Sequence, residues 1–115
     1  MKKIKNLSFF TYQQLSSLNS KNHLISKLDN VQQEILVKVV DAFVHDSPLG
    51  ISDLMSYRNI ASPATIHSRL KKMIAIGFID VILDKDERCK RLIPTALAKE
   101  YYEQESSLME QALDR

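Results

Sequence analysis

The chain has 115 residues, 44% of them hydrophobic and 26% charged, with a formal net charge of +2. That length and balance fit one ordinary soluble domain able to bury a core, and they exclude a disordered chain. The single cysteine excludes an intramolecular disulfide framework, and no apolar run reaches the ~18–20 residues needed to cross a bilayer.

The distribution of charge says more than its sum. Residues 1–28 carry five lysines and no acid, and residues 62–77 carry Arg69, Lys71 and Lys72 with no acid. Residues 29–61 and 96–115 each hold two basic and five acidic residues, while 78–95 balances four against four. The N-terminal lysines precede no continuous apolar stretch, so no signal peptide is expected and a cytoplasmic protein is.

In chain order, Leu7, Phe10, Leu15 and Leu18 predict an amphipathic helix over about 8–18, and residues 23–28 a short further turn. Lys2, Lys3 and Lys5 read either as a basic arm or as a solvated terminus. Asp29 is a good N-cap, with Gln32 placed to complete a capping box. Behind it Ile35, Val39 and Phe43 form one apolar row, and Leu36, Val40 and Val44 a second. Pro48 and Gly50 punctuate the chain. Residues 52–57 predict a short helix capped by Ser52, and residues 58–61 a turn.

The stretch Ser62 to Thr95 organises the rest. Ser62 suits an N-cap, Pro63 the first helical position and Gly77 the position just past the end. Ile66, Leu70, Met73 and Ile74 share one face. The opposite face shows Ala64, His67, Ser68 and Lys71, with Lys72 to one side. After Gly77 the period changes: residues 78–83 predict a strand, 85–88 a charged turn and 89–93 the returning strand. Thr95 caps a last helix to about residue 113. The expected fold is mainly α with a small two-stranded wing (α+β): a winged helix-turn-helix over 29–95. Helical extensions over 1–28 and 96–115 are candidates for dimerisation.

The residues from Leu28 to Ala98 resemble the MarR-type winged-helix regulators. The resemblance rests on S-x-x-T at Ser62 and Thr65, on Gly77-Phe78-Ile79 after the helix, and on D-x-R at Asp86 and Arg88 leading into Thr95. The chain departs from the common pattern in three places. Its turn before Thr65 is about one residue longer, Pro94 stands in place of a Leu, and Ala98 in place of a Gly. The resemblance implies a transcriptional regulator that binds double-stranded DNA as a homodimer built from the terminal helices, and it allows for a small-molecule effector.

In this fold the recognition helix, 62–76, enters the major groove and its early side chains meet base edges. Pro63 and Ala64 offer apolar contact, and His67 and Ser68 hydrogen bonds. Lys71 and Lys72 suit phosphates, and Ser62 and Thr65 sit where a helix start favours a phosphate oxygen. In the wing, 78–94, Lys85, Arg88 and Lys90 supply positive charge. The resemblance implies that Arg88 enters the minor groove, and Asp86 is placed to orient it. Arg69, at the edge of the apolar face, either reaches a phosphate or pairs with an acid of a neighbouring helix.

Cys89 lies in an electropositive setting that would suit a redox sensor, yet it lacks a resolving partner. His23, His45 and His67 are scattered, without metal-ligand spacing. No glycine-rich phosphate loop or catalytic constellation stands out, so neither enzyme activity, a cofactor nor a metal is expected. The alternative class is a winged helix used as a protein–protein interaction module, kept open by the modest charge and the acidic flanks. An RNA-binding reading is weaker, because the proposed face shows no stacking aromatics.

Overall fold

A computed structural model describes residues 5–85 and 88–114. Its helices are α1 (Ser8–Ser16), α2 (Asn22–Ile25), α3 (Asn30–Val44), α4 (Ile51–Met55), α5 (Pro63–Ala75) and α6 (Ala96–Leu113). Three strands, β1 (Leu49–Gly50), β2 (Ile79–Leu83) and β3 (Lys90–Pro94), complete the regular elements among the described residues. The chain divides into two compact units, Leu28–Ala98 and Met1–Lys27 with Lys99–Arg115. Lys2 and Lys3 lie outside the described residues.

The first unit, Leu28–Ala98, is a winged helix, mainly helical with a small antiparallel sheet. The expected two-stranded wing is present as the β2–β3 hairpin, and β1, which the sequence did not announce, adds a third strand to its sheet in the order β1-β3-β2. A hairpin strand keeps one edge unpaired, and here β1 takes it, with Leu49 opposite Leu92 and Gly50 opposite Arg91. On the other side β2 and β3 pair from Ile79–Pro94 out to Leu83–Lys90.

Apolar spacing explains how these elements pack. From α3, Ile35, Leu36 and Val39 are buried, as are Leu54 of α4 and Ile66, Leu70 and Met73 of α5. Phe78, Ile79 and Leu92 extend this core into the sheet. Two ends of the expected apolar stripes lie outside it: Val44 is 66% exposed and Ile74 sits at the rim. Beyond Ile79 the residues of β2 are exposed, because the hairpin projects past the core.

Helix ends follow the sequence closely. Asp29 and Gln32 form the capping box at α3: the Gln32 amide donates to Asp29 Oδ1 at 2.8 Å, and the Asp29 amide donates to Gln32 Oε1 at 3.0 Å. Helix α4 departs from expectation. Its N-cap is Gly50 rather than Ser52, and the Gly50 amide donates to the Asp53 carboxylate at 3.3 Å. At the far end of α5 the Phe78 amide donates to Met73 O and the Gly77 amide to Ile74 O. This paired closure needs a left-handed residue, which Gly77 supplies at φ +89°. Thr95 then ties two elements together, donating through Oγ1 to Gly77 O and accepting from the Ala98 amide at 3.2 Å.

The second unit pairs α1 and α2 with the later part of α6. Ser16 Oγ donates to Glu105 Oε1 at 2.7 Å, Asn19 Nδ2 to Tyr101 O at 3.1 Å, and the Ser20 amide to Gln104 Oε1 at 3.0 Å. Burial pushes the Tyr101 hydroxyl up to about 12, with the Glu105 carboxylate adding to the shift. The apolar face expected of α1 is uncovered. Leu7, Phe10 and Leu18 are at least half exposed, and α1 has no buried residue.

Candidate nucleic-acid interface

Helix α5 separates its two faces cleanly. Ile66, Leu70 and Met73 point into the core, while Ser62, Ala64, His67, Ser68, Lys71 and Lys72 are exposed and Pro63 and Thr65 half-buried. The start of the helix is set by Ser62, whose Oγ accepts the Thr65 amide at 3.3 Å and donates to Thr65 Oγ1 at 3.0 Å. Pro63 occupies the first turn, where a missing N–H costs nothing. This leaves an exposed helix end with a polar, then basic, outer face.

Behind α5, the structure decides between the two readings of Arg69. Its Nε donates to Asp29 Oδ2 at 2.7 Å, which latches the recognition helix to the start of α3. The Gln32 amide, and after it the Arg69 guanidinium, hold the Asp29 carboxyl below its ordinary value of 3.8. A depressed carboxyl stabilises the fold above its unfolded value and loses that contribution as the pH falls through the folded one. Both groups are partly exposed, so the pair is worth under about 1 kcal/mol. The Tm gap between the wild type and Asp29→Asn is therefore expected to shrink between about pH 6 and about pH 2.5. A gap of constant size across a thermal-melting series would rule this linkage out.

The helix-turn-helix corner carries a further support. Lys38 of α3 places Nζ 4.8 Å from the centre of the Tyr57 ring, beside the turn. Sequence spacing does not reveal this contact.

In the wing, Lys85, Arg88, Cys89 and Lys90 are exposed, whereas Asp86 lies outside the described residues. The return of the chain is organised by Asp84, whose Oδ1 accepts the amides of Arg88 and Cys89 at 3.3 and 3.4 Å. The Asp84 amide in turn donates to Cys89 O at 3.0 Å. An Asp that closes an apolar strand before a charged turn is the sequence signal for such a cap. Arg91, next along β3, faces both Asp53 and Asp84 at ion-pair range. Among the described residues no three His, Cys, Asp or Glu side chains gather as metal ligands, and no helix is long and apolar enough to cross a membrane.

The arrangement is an exposed helix with a polar and basic outer face, and a wing whose exposed side chains include Lys85, Arg88 and Lys90. No protein-family model matches the chain, and no curated protein matches it in sequence. Solved structures do. A MarR-like transcriptional regulator from Thermotoga maritima superposes with a TM-score of 0.65 at 18% identity, covering 92% of this chain and 72% of that one. A MarR protein from Peptoclostridium difficile gives 0.53 at 20% identity over 99% and 74%. The heme sensor protein PefR from Streptococcus agalactiae, in complex with heme, gives 0.57 at 22% identity over 90% and 70%. The chain has the winged-helix fold of the MarR-type transcriptional regulators.

Proposed function

We propose that the protein is a MarR-type transcriptional regulator that binds double-stranded DNA by sequence, as a cytoplasmic homodimer and without enzymatic activity. The observation that carries this reading is the outer face of α5, where His67, Ser68, Lys71 and Lys72 stand exposed behind a well-capped helix start. Helix α5 lies in the major groove, with Ser62, Pro63, Ala64, Thr65, His67 and Ser68 nearest the bases. Lys71 and Lys72 meet phosphates and supply affinity rather than preference. The wing, with Lys85, Arg88 and Lys90, reaches the adjacent minor groove.

Support for the dimer comes from the second unit, where Leu7, Phe9, Phe10, Leu18, Met109 and Leu113 are all about half exposed or more. Such apolar surface on terminal helices suits a self-complementary contact about a two-fold axis. Residues 1–28 and 96–115 then serve dimerisation and 29–95 serve DNA. PefR is described with heme, and by analogy a small-molecule effector acts on this protein as well.

Selection of bound duplexes from a random pool tests the reading. A two-fold-symmetric motif with half-sites about one helical turn apart is expected, with affinity falling steeply as salt rises. Absence of retention even at low salt would sink it and favour a protein-interaction module.

A further inference from the structure

We propose that Arg91 is the positioning residue of the wing: it locks the hairpin to the first helix of the helix-turn-helix and so aims Arg88. The inference rests on the DNA-binding reading above and adds to it a device built from this chain's own side chains. Arg91 lies on the central strand β3, opposite Gly50 of β1 on one side and Ile82 of β2 on the other. Its two terminal nitrogens face different acids. Nη1 lies 3.9 Å from Asp53 Oδ2, on α4, and Nη2 lies 3.8 Å from Asp84 Oδ2, at the end of β2.

Each acid is committed to backbone as well. Asp53 accepts the Gly50 amide at 3.3 Å, at the junction of β1 and α4. Asp84 accepts the amides of Arg88 and Cys89 through its other oxygen. A continuous set of contacts thus runs from α4 through Asp53, Arg91 and Asp84 to the backbone of Arg88. Gly50 makes room for it: a Cβ there would lie 3.1 Å from Asp53 Oδ2 and 3.2 Å from Arg91 Nη1. Gly50 has an ordinary backbone conformation at φ −78°, so a side chain there would act only by displacing these two side-chain ends by a few tenths of an ångström. A two-stranded arm pivots readily about its root, and a cation within ion-pair range of two acids on different elements restricts that pivot through charge attraction.

The test is a double-mutant cycle on affinity for the selected duplex, run with Arg88 present and in the Arg88→Ala background. With Arg88 present, Arg91→Met and Asp84→Asn are each expected to weaken binding about fivefold, and Arg91→Lys, which keeps the charge but cannot span both acids, to recover only part of the loss. In the Arg88→Ala background the same changes are expected to cost under about twofold. Removing an acid beside DNA ordinarily tightens binding, so weakening by Asp84→Asn is not a bulk-charge effect. Equal penalties in both backgrounds, or tighter binding by Asp84→Asn, would overturn the proposal. Should the wild type bind no duplex, the DNA reading fails, and hydrogen exchange in the free protein decides the anchoring alone. Arg91→Met then raises exchange at the Arg88 and Cys89 amides about tenfold if the anchor exists, and unchanged rates overturn it.

Discussion

Ile66→Ala is expected to destabilise the protein by about 2–5 kcal/mol, while His67→Ala, one residue on, changes stability by under about 0.5 kcal/mol. Ile66 has no exposed surface and belongs to the face of α5 that packs on α3 and α4. Truncation loses the transfer energy of three carbons and leaves a cavity that three helices enclose and cannot easily collapse. In a domain of this size each kcal/mol corresponds to a Tm change of about 4 °C, so the loss is at least about 8 °C. His67 points the other way and is exposed. Its substitution is expected to leave melting intact and to weaken DNA binding instead. Thermal melting and DNA titration of the two variants together assign the faces of α5. A loss below about 1 kcal/mol for Ile66→Ala would place the core elsewhere.

Much of this separation was legible in the sequence, because it depends on local rules. Ser62, Pro63 and Gly77 mark the ends of α5 through capping chemistry confined to a few residues, and the closure at Gly77 bears this out. Asp29 with Gln32, and Thr95 before α6, are of the same kind. What escaped the sequence depends on distant partners. Leu49–Gly50 is too short to show alternation, and it is a strand only because β3 offers it an open edge. The apolar residues of α1 predicted a helix correctly but not their own exposure, which is decided by what else packs there. For Arg69 the sequence left two partners open, and Asp29, forty positions away, is the one it meets. The Asp53–Arg91–Asp84 contacts likewise join three elements, so no window along the chain contains them. Glu105 shows the same limit. It sits among polar neighbours in sequence, yet it is 7% exposed and accepts a hydrogen bond from Ser16.

Arg88→Ala should separate affinity from stability most sharply. Arg88 is exposed on the wing, and its backbone amide donates to Asp84. Removing the side chain is therefore expected to leave the Tm within about 2 °C, a surface-substitution effect. DNA binding is expected to weaken by about 1–2 kcal/mol, roughly 5- to 30-fold, because a guanidinium in a narrow minor groove meets concentrated negative potential. The loss should be greatest on duplexes with A·T-rich flanks, where that groove is narrowest, and smaller on G·C-rich flanks. Arg88→Lys keeps the charge and the salt dependence but not the planar group, so it is expected to fall between the two. Parallel titrations on the two flank types make this measurable with one protein preparation. Equal affinity of the wild type and Arg88→Ala on A·T-rich flanks would remove the wing from the interface and leave α5 to carry recognition alone.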